Sequence, residues 1–301
     1  MRGLKIGHFS DQAQGVGVSV FLFESEAVGS YWLCGSAPAT HQIAALDVAS
    51  CVPKCHGLVL AGGSAYGLHA AAGVNRYLGE RGIGHPVPTG IVPVVPSAAI
   101  YDLAHLSAVF PSAEQAYQAC LTASEENIER GRIGAGSGAT VGKLIPNTRC
   151  MTGGIGRAVL QQSNGLEVVA YAVVNSVGDV CADGEIIAGA CDASGKMLNG
   201  EHYLLSGQTE VDLFAGTNTT LAAIFTNAAL EKDACQRTAK MAAAGMARAI
   251  SPAFTRFDGD IIFCLSIGTV QASELTVGTM AAEALRLAIL DAVKESEIVI
   301  G

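Results

Sequence analysis

Asn218-Thr219-Thr220-Leu221-Ala222-Ala223-Ile224-Phe225-Thr226-Asn227 is the stretch on which the fold turns. Apolar residues fill most of positions 221–225, a short run of the kind that packs on both faces of a buried strand. A hydroxyl residue just ahead of such a strand is held by rigid structure, which suits a nucleophile. If the Asn218–Thr219 bond were cut, Thr219 would carry both a side-chain hydroxyl and a free α-amine. An unperturbed α-amine titrates near ~8, so it can act as base for its own hydroxyl and no catalytic histidine is required. The same letters also form a glycosylation acceptor pattern and an ordinary turn leading into a strand, so the segment does not decide between these readings by itself.

Working outward, strands and helices alternate. Residues 15–24 (GVGVSVFLFE) alternate like a strand, and 57–60 form a short buried strand ending at Gly62-Gly63. Residues 66–78 have helical composition closed by Gly79 and Gly82, and 113–130 read as a second, polar-faced helix. Residues 166–174 and 177–182 resemble two strands of one hairpin turning near Asn175. Beyond Thr219 the pattern is strand, helix, strand, helix. Residues 232–250 are helical up to Ser251-Pro252, 260–267 form a buried strand, and 276–294 make a final amphipathic helix. The polar stretch between Asn199 and Asn218 has little periodicity and reads as an exposed loop, accessible to processing at its end. The spacing is not that of a regular nucleotide-binding sheet; paired sheets with helices on both outer faces fit it better.

Of the 301 residues, half are hydrophobic, 15% are charged and 36 are glycine. This predicts a large core, many tight turns and further burial by oligomerisation. A net charge of −9 lacks the clustered lysine and arginine of a nucleic-acid footprint. The start of the chain does not read as a signal peptide, and no apolar run is long enough to span a bilayer. Nine cysteines without framework spacing fit reduced, mostly buried thiols in a cytoplasmic protein. Cys51-x-x-x-Cys55-His56 is the one cluster with metal-ligand character, but no second pair at zinc spacing follows, and core thiols explain it better.

Three motifs bear on chemistry. The glycine-rich segment from Gly134 to Leu144 fails both nucleotide patterns. Ala139 stands where the dinucleotide motif needs glycine, and Ser137 and Leu144 stand where a phosphate loop needs glycine and a hydroxyl residue. It reads instead as a close-packed loop that carries Lys143 toward another element. Gly62-Gly63-Ser64-Ala65-Tyr66 is not a serine-hydrolase elbow, because Tyr66 replaces the final glycine; Ser64 is expected to cap the following helix. Phe257-Asp258-Gly259-Asp260-Ile261 puts two carboxylates ahead of an apolar strand, on one face if the backbone is extended. Such a pair can orient a threonine nucleophile and tune its amine. A solvated Asp-Gly turn is the plainer alternative.

Together and in this order, these pieces resemble the self-processing N-terminal-nucleophile aminopeptidases. That group includes L-aminopeptidase/D-amidase/esterases, β-aminopeptidases and 6-aminohexanoate-oligomer endohydrolases. The matching stretches are residues 57–73, 92–103 (VPVVPSAAIYDL), 136–143, 173–179 (VVNSVGD), 218–227 and 243–260, nearly the whole chain. The resemblance implies a mixed α/β (α+β) fold, a four-layer αββα sandwich of the N-terminal-nucleophile type. It also implies one hydrolase domain, 1–301, processed into 1–218 and 219–301. Thr219 matches the nucleophile freed by cleavage after Asn218, and Asp258 and Asp260 match the pair that orients it. Tyr101, Lys143 and Asn175 match substrate-site groups, with Asn175 an amide donor to the developing oxyanion. No cofactor or metal is implied. The implied partners are a small peptide or amide substrate and further copies of the processed heterodimer, with neither nucleic acid nor membrane. One departure is visible: where members often carry arginine after threonine, this chain has Thr40-His41-Gln42, so any carboxylate contact made by that arginine is lost.

Three rival readings follow from the same residues. An acyltransferase of the ornithine-acetyltransferase kind shares the threonine logic with an amine as acceptor, although the Gly-Gly-Ser-Ala-Tyr-Gly and Asp-Gly-Asp segments favour the peptidase side. An unprocessed, non-catalytic member acting as a binding protein is the second. A cofactor-dependent enzyme is the weakest, since both nucleotide patterns fail on spacing.

Overall fold

A computed structural model describes residues 1–103, 109–208, 210 and 218–299. The central strand is Thr219–Ala228. It runs antiparallel to Glu167–Asn175 on one side and parallel to Ile261–Val270 on the other. Gly154–Gln161 closes the far side of Glu167–Asn175. The 18-residue strand Val16–Leu33 joins two sheets into one path. Its C-terminal part pairs with Ile261–Val270, and its N-terminal part pairs with Cys55–Ala61 and Leu4–Asp11. The register slips between Leu22 and Ala27, and the exposed Glu24, Ser25 and Glu26 lie within that slip. Ser97–Ala99 and Ala39–His41 complete the second sheet.

Period-two alternation sends side chains from each strand into two different cores, both dry. From the central strand, Leu221, Ala223 and Phe225 point into the space between the sheets, joined by Tyr171, Phe263 and Phe21. Ala222 and Ile224 point the other way, toward the helices Lys232–Ala249 and Glu274–Ala292. In the second sheet Val18, Val20 and Val59 face the helices Ala71–Gly79 and Ala113–Leu121. Helix, sheet, sheet and helix are thus held by three cores, and the four-layer αββα sandwich expected from the sequence is the one found. At the centre Phe21, Tyr171 and Phe225 meet at ring-centroid distances of 5.2 to 6.3 Å, arrangements that add to area burial.

Four local expectations change. The 166–182 segment is not a hairpin. Both edges of Glu167–Asn175 are already filled, so Asp179–Ala182 leaves to pair with Glu185–Ala188 and Ile250–Ser251 in a small separate sheet. The helix expected over 113–130 stops at Leu121, because Ser124 forms an isolated antiparallel bridge with Ile6. Its start is fixed by a capping box between Ser112 and Gln115. Ser64 does not cap a helix through its side chain. It sits at φ 54° in the first turn, and its N–H donates to the Ile100 carbonyl at 2.8 Å. The stretch after Asn199 is not all loop, since Gly200–Leu205 is helical with Asn199 accepting from the His202 N–H. Residues 209 and 211–217 of that stretch lie outside the described residues. Cys55 begins a buried strand, and Cys51 lies exposed ahead of it.

No helix among the described residues is long and apolar enough to cross a membrane.

Candidate active site

Strand pairing puts Asn175 directly opposite Thr219, and an isolated parallel bridge joins Asn218 to Asp258. Thr219 therefore enters the sheet between Asn175 and the Asp258-Gly259-Asp260 turn. Asn175, Asn218, Thr219, Asp258 and Asp260 are each between 1% and 3% exposed, so five polar residues are buried together at the end of the central sheet.

The Thr219 hydroxyl donates to the carbonyl oxygen of Asn218 at 2.5 Å rather than to either aspartate. That oxygen also accepts the Gly259 N–H at 2.9 Å. Asp260 Oδ1 accepts the Thr220 N–H at 2.6 Å, while Asp258 Oδ2 accepts the Thr255 N–H at 2.9 Å and its hydroxyl at 2.6 Å. Asp260 thus grips the backbone just after Thr219, while the Asp258 carboxyl is tied to Thr255 within its own turn. Burial, reinforced by neighbouring Asp258, pushes Asp260 up to about 8. Burial also raises Asp258, against the pull of its bonds to Thr255. Burial and the neighbouring charge thus disfavour holding both carboxylates ionised.

On the opposite side, Lys143 Nζ donates to Asn175 Oδ1 at 2.8 Å and to its carbonyl at 3.3 Å. The Thr140 N–H reaches the same Oδ1 at 3.0 Å, and Asn175 Nδ2 donates to the Tyr101 carbonyl at 2.9 Å. The Asn175 side-chain amide is held at both ends. Burial brings Lys143 down to about 7, opposed by Cys150, Asp258 and Asp102. The glycine-rich loop does carry Lys143 to another element, as its composition predicts. Among the described residues, Tyr101 joins the site through its backbone carbonyl, and its side chain is exposed.

Sequence reasoning missed Asp102. Its Oδ1 accepts the Gly63 N–H at 2.6 Å. A Cβ at Gly62 or Gly138 would stand 2.4 or 2.7 Å from its Oδ2, so both glycine motifs close around this carboxyl. Burial raises Asp102 to about 6, and it faces the charge of Lys143. The only sequence signal was a lone acid after an apolar strand. Thr255 was missed as well, because a threonine three residues before an aspartate has no distinctive pattern. In the departing segment, Gln42 Oε1 accepts the Val95 N–H at 2.9 Å, so it serves the backbone there.

The sequence signature of Peptidase family S58 matches residues 1–301. The chain belongs to that family. An uncharacterised aminopeptidase of Mycobacterium leprae is 35% identical over 99% of this chain and 90% of its own length. A 6-aminohexanoate-oligomer endohydrolase of Paenarthrobacter ureafaciens is 31% identical over 79% of this chain and 72% of its own. Among solved structures, the L-aminopeptidase D-Ala-esterase/amidase of Ochrobactrum anthropi, described as a variant of the Ntn-hydrolase fold, superposes with a TM-score of 0.73. It does so at 14% identity, over 98% of this chain and 84% of that one. The PH0078 protein of Pyrococcus horikoshii gives 0.70 at 19% identity, over 98% and 85%. This S58 member is a hydrolase of peptide or amide bonds on an Ntn-hydrolase fold.

Proposed function

We propose that this S58 peptidase is a self-processing amide hydrolase whose nucleophile is Thr219, freed as an N-terminus by cleavage after Asn218. The observation that carries the reading is the position of the Thr219 hydroxyl, 2.5 Å from the carbonyl oxygen of the bond to be cut. In the first stage Thr219 Oγ attacks the Asn218 carbonyl carbon. The C–N bond then breaks, the Thr219 nitrogen takes up the hydroxyl proton, and an ester remains. Water hydrolyses that ester, giving an Asn218 carboxylate and a free Thr219 hydroxyl. Because Thr219 is 3% exposed in the single chain, turnover of an external substrate waits on this step.

In the second stage the new amine accepts the hydroxyl proton while Oγ attacks the substrate carbonyl. The substrate C–N bond breaks as that proton passes to the departing amine, and water then hydrolyses the ester to release the acyl group as a carboxylate and restore the hydroxyl. Asp260 holds the Thr220 N–H just after the nucleophile, Asp258 is anchored by Thr255 beside it, and the pair balances the charge of the amine. Asn175, locked by Lys143 and Thr140, supplies an amide donor to the oxyanion of the substrate. Tyr101 borders the substrate site through the carbonyl that orients Asn175. Short peptides and oligoamides are the substrate class, and low charge with extensive apolar surface favours a homo-oligomer of processed fragments.

Intact mass under denaturing conditions tests the reading. The wild type is expected to give fragments 1–218 and 219–301, summing to the 30.7 kDa chain plus one water. Thr219→Ala is expected to stay one chain and hydrolyse no amide. Normal cleavage of that variant would remove Thr219 from the mechanism.

A further inference from the structure

The carbonyl of Asn218 has a second donor besides the threonine hydroxyl. The Gly259 N–H points at the same oxygen from 2.9 Å, across the bridge that joins Asn218 to Asp258. We infer that the backbone N–H of Gly259 is the oxyanion donor for self-cleavage of the Asn218–Thr219 bond, and that position 259 is glycine because the nucleophile occupies the space a side chain would fill. This rests on the self-processing reading above and adds to it the group that bears the charge in the first step.

Two sets of observations support the assignment. The first is rigidity. The Asp258 carbonyl accepts the Ala37 N–H at 3.0 Å, and the Asp260 carbonyl accepts the N–H groups of Cys34 and Gly35 at 2.9 and 3.0 Å. Thr255 clasps the Asp258 carboxyl. The Asp258–Gly259 peptide and, one residue on, the Asp260–Ile261 peptide are thus tied to neighbouring chain, and the Gly259 N–H is fixed before any charge develops. A fixed donor aimed at the oxygen that becomes negative needs no reorganisation during reaction, which is what makes such donors effective. The second is space. A Cβ on Gly259 would lie 2.8 Å from Thr219 Oγ and 2.6 Å from the Ala37 carbonyl oxygen. The backbone at 37 cannot yield cheaply, so the threonine hydroxyl would be displaced.

The step balances within the chain. As the Oγ–C bond forms, the carbonyl π pair moves onto the Asn218 oxygen, and Gly259 N–H holds it there. The pair returns as the C–N bond breaks, and the hydroxyl proton ends on the Thr219 nitrogen.

The test replaces Gly259 by glycolic acid in cell-free translation, which turns its N–H into an ester oxygen and leaves the shape unchanged. Cleavage of this precursor, followed by intact mass, is expected to be about 10²–10³-fold slower than wild type, the usual loss for one oxyanion donor. A rate within about threefold of wild type would overturn the inference. Gly259→Ala keeps the N–H but crowds Oγ, and is expected to cleave at least ~10-fold slower; wild-type cleavage by Gly259→Ala would overturn the spatial half. Thermal unfolding of both changes in the Thr219→Ala background checks the fold. Thr219→Ala itself separates the two failures. If it cleaves, the self-processing reading falls; if it stays intact while the glycolate precursor cleaves normally, only the role of Gly259 falls.

Discussion

Replacing Asp260 by asparagine in the Thr219→Ala chain should remove one component of a pH-dependent stability. Burial and Asp258 hold the Asp260 carboxyl up to about 8 in the folded chain, against about 3.9 in an unfolded one. Between those values the folded state binds the extra proton, so stability falls as pH rises, with a limiting slope of ~1.4 kcal/mol per pH unit. Asparagine cannot titrate and removes that slope. It also costs something at low pH, since the Asp260 carboxyl accepts the Thr220 N–H at 2.6 Å and a further N–H from Phe254. The amide puts an NH2 where the protonated carboxyl has a hydroxyl oxygen that can still accept weakly, so a neighbouring N–H can lose its acceptor at a cost of about 1–3 kcal/mol. The asparagine variant should therefore be less stable than its parent at pH 5. The gap should close as pH rises and reverse by pH 8, a relative change on the order of 4 kcal/mol over three units at the limit. Lys143, brought down to about 7, works in the opposite direction above that pH, but it is common to both chains and cancels in the difference. Urea unfolding at pH 5, 6, 7 and 8 measures the gap. A gap that stays constant across those pH values would refute the protonated, buried state of Asp260.

Asn175→Ala strips the acceptor from Lys143 and the Thr140 N–H and the donor from the Tyr101 carbonyl. It should lower unfolding free energy in the Thr219→Ala background by about 1–3 kcal/mol, seen by denaturant titration. In the processed enzyme the same change should cut kcat by about 10²–10³-fold on an amide substrate, read by steady-state kinetics. Phe225→Ala empties the aromatic centre between the sheets and should cost about 3–5 kcal/mol, measured as a shift in the urea midpoint of the uncleavable chain.

Much of the fold was legible because burial on both faces leaves a mark in sequence. Strands such as residues 166–174 and 221–225 are apolar at nearly every position, and the amphipathic helices after them carry a single apolar stripe. What was misread were the places where pairing partners decide. Nothing local distinguishes a hairpin at Asn175 from a strand that quits its sheet, because the choice depends on whether its edges are taken by Gly154–Gln161 and Thr219–Ala228. The helix from Ala113 ends early because Ser124 finds Ile6, more than a hundred residues upstream.

For the proposed site, the sequence by itself named the candidate groups. A threonine precedes a buried strand, two acids flank a glycine, and a lysine follows a glycine-rich loop. These are covalent facts that neighbouring residues can frame. Only the tertiary structure decided which atom each group touches. It turned the Thr219 hydroxyl toward its own upstream carbonyl instead of an aspartate, set the aspartates to gripping backbone, and drew Asp102 in beside Lys143. The reason is physical: hydrogen bonds reach about 3 Å and desolvation depends on everything packed nearby. Both are therefore set by segments brought together across the sheets.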